Sequence, residues 1–295
     1  MNKKKQNITF IVNPKAGVTV KSKLIINLLT GKLMPSRFIA KVFFTEYAGH
    51  AEELAQQAIT SGADVIVAWG GDGTINEVAK ALVGTDIPMG IIPGGSGNGL
   101  ARCLKLPLHI PLAFRTLAKG NTKKIDTVEA NGHLFISVAG LGFDAYVAKL
   151  FAKSHLRGLL SYTKIVLKEY PNYQSLTYKM HINGEVIEKE ALMVVFANSN
   201  QFGFRTKIAP KASVTDGKMD ICFVEKVPTT KLIRTGMHLF NGTFGKTGYA
   251  TYYRANEVFV ESSKGLRMNI DGESVKLTDD VKIKLNPASL NVIVP

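Results

Sequence analysis

Along the first part of the chain, short continuous apolar runs alternate with stretches whose apolar positions recur at helical spacing. Ile8–Asn13, Ala40–Phe44, Asp64–Trp69 and Met89–Ile92 predict strands, and Val20–Leu29, Gly49–Ser61, Ile75–Leu82 and Leu100–Leu104 predict helices. Strand and helix in alternation imply a parallel sheet with helices on both faces, where ligands bind at the carboxyl ends of the strands. Past Asp126 the period changes. His133–Ala139, Thr177–Ile182, Ala191–Ala197, Met219–Val224, Glu257–Glu261 and Lys282–Leu285 predict strands, joined by turns such as Asn183-Gly184 and Asp216-Gly217. Such a succession predicts an antiparallel sandwich or barrel. Helical blocks at Ala145–Tyr170 and Thr229–Leu239 interrupt it. The expected division is residues 1–125, a nucleotide-binding α/β domain, and 126–295, a β-rich substrate domain, with the final strand free to return to the first lobe.

Composition narrows this picture. The chain has 295 residues, 45% of them hydrophobic, enough for two full cores. No apolar run is long enough for a transmembrane helix, and the basic Met1–Gln6 leads straight into a strand rather than a signal peptide. Cys103 and Cys222 lie far apart without metal spacing, which fits reduced thiols and a cytoplasmic protein. The net charge of +14 draws the protein toward anions: nucleic acid, an anionic membrane or phosphorylated molecules. The lysines are spread along the chain with no nucleic-acid-binding motif, so nucleic acid is not an expected partner.

Three glycine-rich turns follow three of the first-lobe strands: Asn13-Pro14-Lys15-Ala16-Gly17, Gly70-Gly71-Asp72-Gly73-Thr74 and Pro93-Gly94-Gly95-Ser96-Gly97-Asn98-Gly99. Glycine turns running into helix N-termini present free N–H groups and a positive dipole end, which suit phosphate. Asp72 repels phosphate unless a cation lies between, so a nucleotide with a metal ion is the first expectation. Thr74 at the helix start can cap the helix or bond a phosphate oxygen. Lys15 and Arg102 are candidate phosphate partners. Gly245-Lys246-Thr247 lacks the upstream glycine of a phosphate-binding loop. Gly140-Leu141-Gly142-Phe143-Asp144-Ala145 matches the form of a dinucleotide motif, but lies where the sheet reads as antiparallel.

NPKAG, GGDGT followed by Asn76-Glu77-Val78, PGGSGNGLAR, GLGFDA and Asp271-Gly272-Glu273, in this order over almost the whole chain, resemble the diacylglycerol kinase catalytic family. That family includes bacterial diacylglycerol kinases and sphingosine and ceramide kinases. The resemblance implies an α/β N-terminal lobe of the NAD kinase and phosphofructokinase type, with a mainly antiparallel β-sandwich C-terminal lobe. It also implies an ATP-dependent lipid kinase, with diacylglycerol converted to phosphatidic acid as the leading reaction in phospholipid biosynthesis. Sphingoid bases, other glycerolipids or a soluble substrate of the NAD kinase type are the alternatives, and a non-catalytic nucleotide-binding regulator is a further one.

Position by position, the resemblance puts ATP between the lobes, near Asn13, Lys15, Gly17, Thr45, Gly70, Gly71, Gly73, Thr74, Gly94, Gly95, Ser96, Gly97 and Asn98. Asp72 acts through Mg²⁺. Glu273 is the expected general base and Asp271 its metal-water partner, with the two roles exchangeable; if this segment is extended, both side chains share one face. Ser213, Asp216 and Lys218 form an expected structural Mg²⁺ loop. Gly99 stands where bacterial diacylglycerol kinases often carry an aspartate, and Tyr146 stands near where sphingosine kinases carry an acid.

A kinase of lipids without a spanning helix must dock reversibly, so peripheral association with an anionic membrane is expected; a homodimer is an allowed assembly. Two segments combine apolar and basic residues. Val147–Leu167 contains Leu150, Phe151, Leu156, Leu159 and Leu160 with Lys149, Lys153, Arg157 and Lys164. Thr229–Lys246 contains Met237, Phe240 and Phe244 with Lys231, Arg234 and Lys246.

Overall fold

A computed structural model describes residues 5–16, 31–154, 158–201, 206–262 and 265–295. The chain forms two compact units, one of residues 1–125 and 288–295, the other of residues 126–287.

In the first unit the strands lie in the order Phe38–Phe44, Gln6–Val12, Val65–Gly70, Met89–Pro93, and every pairing between them is parallel. The end of the last strand, Val281–Ile293, adds to this sheet through Val292 beside Met89, also in parallel. Phe10, Val67, Trp69 and Ile92 are buried against Phe114 and Leu117 of the helix Ile110–Lys119. The predicted helix Val20–Leu29 lies outside the described residues.

The second unit packs two antiparallel layers. One runs Ala250–Ala255, Met219–Val224, Met193–Ala197, Val138–Gly142, Leu266–Ile270, Glu273–Leu277. The other contains Val281–Leu285 of the last strand, Glu257–Val260, Leu176–Ile182 and Glu185–Ala191. Alternate residues of each strand point inward, so Leu141, Phe196, Phe223 and Met268 meet Met180, Val258 and Ile283 in one core. The first unit is the parallel α/β lobe that the hydrophobic pattern predicts, and of the sandwich or barrel it allows for the second, the structure has the sandwich.

Several elements differ from the sequence reading. The run His133–Ala139 is two strands, His133–Phe135 and Val138–Gly142. The break has a cause: the Asp271 carboxylate takes the N–H groups of Ile136, Ser137 and Val138. The helical block Ala145–Tyr170 is two helices, Phe143–Lys153 and Leu159–Glu169, followed by a 3-10 turn at Tyr170–Asn172. Ala191 does not open the next strand but closes a separate one, Glu185–Ala191, after the Asn183-Gly184 turn; both turn residues have positive φ (53° and 85°), as a tight two-residue hairpin needs. Lys282–Leu285 belongs to a strand of 13 residues that passes Asn286-Pro287-Ala288, where Ala288 has a φ of 48°.

Candidate active site

In the first unit, three adjacent parallel strands end in the three glycine turns, and the strand ladder continues past their ends. Asn13 N–H donates to the Trp69 carbonyl (2.9 Å), Gly94 N–H to Gly70 (2.7 Å) and Thr45 N–H to Val12 (2.9 Å). The turns are therefore fixed to one another by backbone. Asn13 Nδ2 donates to Thr74 Oγ1 (3.3 Å), and Asn13 Oδ1 accepts the Lys15 N–H (2.9 Å). Lys15 Nζ reaches the Glu46 carbonyl (3.3 Å). Asn98, at φ 51°, closes its own turn by exchanging two hydrogen bonds with Gly95, of 3.0 and 2.7 Å. Arg102 Nε donates to the Gly97 carbonyl (3.0 Å). Gly17 lies outside the described residues.

The glycines differ in purpose. A Cβ on Gly95 would sit 2.7 Å from the Gly71 Cα, and one on Gly70 would sit 2.5 Å from Thr74 Oγ1, so these two are required by the packing of the turns. A Cβ on Gly73 would meet nothing within 4 Å. Its small size serves no neighbour among the described residues.

Asp72 sits at the centre of this cluster. The helix Asp72–Leu82 begins here, earlier than its hydrophobic period suggests, with Gly71 at the N-cap; Thr74 lies inside the first turn and does not cap. Asp72 Oδ1 accepts the Gly99 N–H (2.8 Å). Burial pushes the Asp72 carboxyl above the usual carboxylate range, opposed by the N–H groups of Gly99, Asn98 and Asp72 itself and by the Arg102 charge. The donor set suits an ionised carboxylate beside phosphate, with a hard cation joining the two through water. Glu77, which follows the motif, caps a neighbouring helix: its carboxylate accepts the N–H groups of Gly49 (2.9 Å) and Ala51 (3.0 Å) at the start of His50–Thr60.

In the second unit, Asp271-Gly272 forms a tight hairpin between Leu266–Ile270 and Glu273–Leu277, with φ of 46° and 96°. The segment is not extended, so Asp271 and Glu273 do not share a strand face. Asp271 Oδ2 accepts Ile136 N–H (2.8 Å), and Oδ1 accepts Ser137 (3.0 Å) and Val138 (2.9 Å). Glu273, the first residue of the next strand, is exposed.

Behind this hairpin lies a polar cluster that sequence reasoning missed. Gly272 N–H donates to Asn269 Oδ1 (3.0 Å), and Asn269 Nδ2 donates to Asp144 Oδ2 (2.8 Å). A Cβ at Gly140 would collide with the Asp144 carboxylate, and one at Gly142, φ 75°, with the Leu192 carbonyl (2.6 Å). The GLGFDA motif is thus explained by packing around Asp144. Both neighbours of its strand are antiparallel, which excludes the parallel βαβ setting of a dinucleotide motif. Burial raises the Asp144 carboxyl to about 6, opposed by hydrogen bonds from Asn269 and Tyr162. Tyr146 donates to Glu169 Oε2 (3.0 Å).

At the expected metal loop, Ser213 Oγ lies 3.3 Å from Thr215 Oγ1, and Asp216 Oδ1 accepts the Lys218 N–H (3.2 Å). Arg254 pairs with Asp216 Oδ2 and lies 3.7 Å from Asp220 Oδ1. Asp220 Oδ2 is buried without a hydrogen-bond partner. An orphaned carboxylate oxygen next to a second carboxylate fits a divalent cation at this loop, in competition with Arg254.

Glycine turns of this kind at the ends of parallel strands suit the binding of phosphate groups. Residues 7–130 match the diacylglycerol kinase catalytic domain, and residues 137–294 match the YegS C-terminal NAD kinase beta sandwich-like domain. The chain is 30% identical over 269 residues to a diacylglycerol kinase of Bacillus subtilis (strain 168), covering 89% of this chain and 88% of the relative. It is 32% identical over 258 residues to a diacylglycerol kinase of Mycobacterium tuberculosis (strain H37Rv), covering 84% and 82%. A crystal structure of a diacylglycerol kinase from Bacillus anthracis (strain Sterne) shares the fold, with a TM-score of 0.74 at 23% identity, covering 100% of this chain and 98% of that one. The chain belongs to the diacylglycerol kinase family, and is a kinase with a lipid-type acceptor.

Proposed function

We propose that the protein transfers the γ-phosphoryl group of ATP to a lipid hydroxyl at the cytoplasmic face of an anionic membrane, with diacylglycerol as acceptor and phosphatidic acid as product. The observation that carries this reading is the cluster of Asn13, Gly70–Thr74 and Gly94–Asn98, in which backbone N–H groups, an open glycine at position 73 and one ionisable carboxylate converge. The turns would hold the nucleotide phosphates through these N–H groups and Thr74, with Lys15 and Arg102 as nearby positive charges. Mg²⁺ bound through Asp72 would neutralise the phosphates.

In the second unit, the three N–H bonds to Asp271 leave Glu273 as the freer carboxylate. Glu273 would accept the acceptor hydroxyl's proton while that oxygen bonds to the γ-phosphorus and ADP departs with the bridging electron pair. Asp271 would act mainly by holding the hairpin in place. Ser213, Asp216 and Lys218, joined by Asp220, would hold a second, structural Mg²⁺.

The deciding experiment supplies radiolabelled ATP and Mg²⁺ with diacylglycerol, monoacylglycerol, sphingosine or NAD in parallel reactions, resolved by chromatography. Label in phosphatidic acid, lost with a chelator, is the expected result. Label in sphingosine phosphate or NADP alone replaces the acceptor, and no labelled product in any reaction overturns the reading.

A further inference from the structure

The helix Leu232–Asn241 is anchored by one face and bare on the other. Leu232 packs against the cluster of Phe143, Val147, Tyr170 and Val227, Thr235 is buried, and Leu239 packs against the cluster around Val138 and Phe244. The opposite face carries Ile233, Met237 and Phe240, 80%, 55% and 52% exposed. Their spacing of four and three residues places them in a single stripe along the helix. Phe244 is buried and takes no part, which corrects its assignment to the docking set, while Ile233 is a member that the sequence reading did not single out.

Two further observations indicate what covers the stripe. First, its setting is basic. Between Glu225 and Glu257 the sequence holds no acid, but it holds Lys226, Lys231, Arg234, Lys246 and Arg254. Lys231, Arg234 and Lys246 are all exposed. Second, another helix of the same unit repeats the pattern. The helix Leu159–Glu169 shares the cluster containing Leu232, and it exposes Leu160 (80%) and Leu167 (54%) with Lys164 beside them. Leu160 and Ile233 are the two most exposed large apolar side chains among the described residues. Leu156 and Arg157, which belong to this segment in sequence, lie outside the described residues.

We propose that the Ile233–Met237–Phe240 stripe is a docking face for an anionic lipid bilayer. The three side chains enter the acyl boundary, while Lys231, Arg234 and Lys246 remain at the level of the anionic headgroups. A charged groove for a peptide would need a concave lining, whereas this face is a convex helix with cations at its border, the arrangement that favours a headgroup plane. The proposal deepens the lipid-kinase reading by naming its surface, and it is tested without turnover, so either can fail alone.

The test is co-sedimentation of the full chain with vesicles of phosphatidylcholine alone or mixed with phosphatidylglycerol, at low and high salt. Binding is expected only to the mixed vesicles, and is expected to weaken as salt rises. The double variant Ile233→Ser, Phe240→Ser should lower the partition coefficient roughly tenfold or more, since each removes a large apolar side chain from the interface. Its melting temperature and its turnover of a water-soluble short-chain acceptor should be unchanged. Equal binding to both vesicle types regardless of salt, no binding by the wild-type chain, or wild-type binding by the double variant overturns the proposal. A dimer in solution that the double variant converts to monomer, with vesicle binding unchanged, assigns the face to a second copy of the chain and overturns it as well.

Discussion

Asp72 in the first unit and Asp271 in the second are both acids at the ends of strands, and both are held by backbone N–H groups. The donors differ in origin. Those at Asp271 come from three consecutive residues of a neighbouring segment, Ile136 to Val138, and spend both carboxylate oxygens on holding a hairpin to its sheet. Those at Asp72 come from glycine-rich turns, beside Gly73, where a Cβ would meet nothing within 4 Å among the described residues. Charge-assisted hydrogen bonds of similar length thus hold a hairpin in one place and, on the proposed function, prepare a site in another. The distinction lies in what the surrounding atoms leave open.

The largest expected effects separate the acids. Asp72→Asn keeps one oxygen for the Gly99 N–H and should still fold, yet abolish detectable phosphoryl transfer, because the amide cannot recruit the cation. Near-wild-type turnover would remove Asp72 from the mechanism. Glu273→Gln should lower kcat by roughly 10²-fold or more with ATP affinity little changed, the usual cost of removing a general base. Asp271→Asn should lose activity together with stability, since one amide cannot accept all three N–H bonds; a cost of about 1–3 kcal/mol is expected for the donors left unsatisfied. A stable but inactive Asp271→Asn beside an active Glu273→Gln would reverse the two roles.

A smaller effect sharpens the same contrast among the glycines. Gly95→Ala brings a methyl group 2.7 Å from the Gly71 Cα, so the turns must shift and the melting temperature should fall. Gly73→Ala has free space around it and should leave stability unchanged while weakening ATP binding. Isothermal titration of the two variants decides the matter. Unchanged ATP affinity in Gly73→Ala would mean that no ligand approaches that backbone.

Much of this was legible in the sequence, for identifiable reasons. The central strands of the first lobe are short apolar runs buried on both faces, so Val65–Gly70 and Met89–Pro93 announce themselves by composition. The glycine turns are equally visible, because a turn that lets another backbone approach within van der Waals contact admits no other residue. Edge elements are harder. Glu185–Ala191, with four charged residues in its seven, has no apolar alternation to detect, and it is a strand because Leu176–Ile182 pairs with it. The tripeptide Asp271-Gly272-Glu273 reads equally well as an extended acid pair or a turn. Its geometry follows from Asn269 and from the N–H groups of residues 136–138, which are distant in sequence. Asp144 was hidden in a motif that resembles a nucleotide fingerprint, and only the space above Gly140 shows that the glycine exists to admit the carboxylate.

Asp144 also supplies the smallest of the expected effects, and one that tests how a third, wholly buried acid compares with the other two. Its carboxyl titrates at about 6 in the folded chain, above the ordinary value of 3.8, because burial penalises the charge more than Asn269 and Tyr162 favour it. A raised carboxyl means that the folded state holds its proton more tightly than the unfolded state. The group's contribution is therefore most favourable below pH 4 and is lost as pH rises through about 6. Asp144→Asn keeps the oxygen that accepts from Asn269 Nδ2 and removes the charge. Relative to wild type, the variant should be more stable by an amount that grows between pH 4 and pH 6 and then levels off, a difference of a few degrees in melting temperature at neutral pH. Thermal melts of both proteins across that range measure it directly. A difference that is independent of pH, or that shrinks as pH rises, would show that Asp144 is not held as a buried, proton-favouring acid behind the Asp271 hairpin.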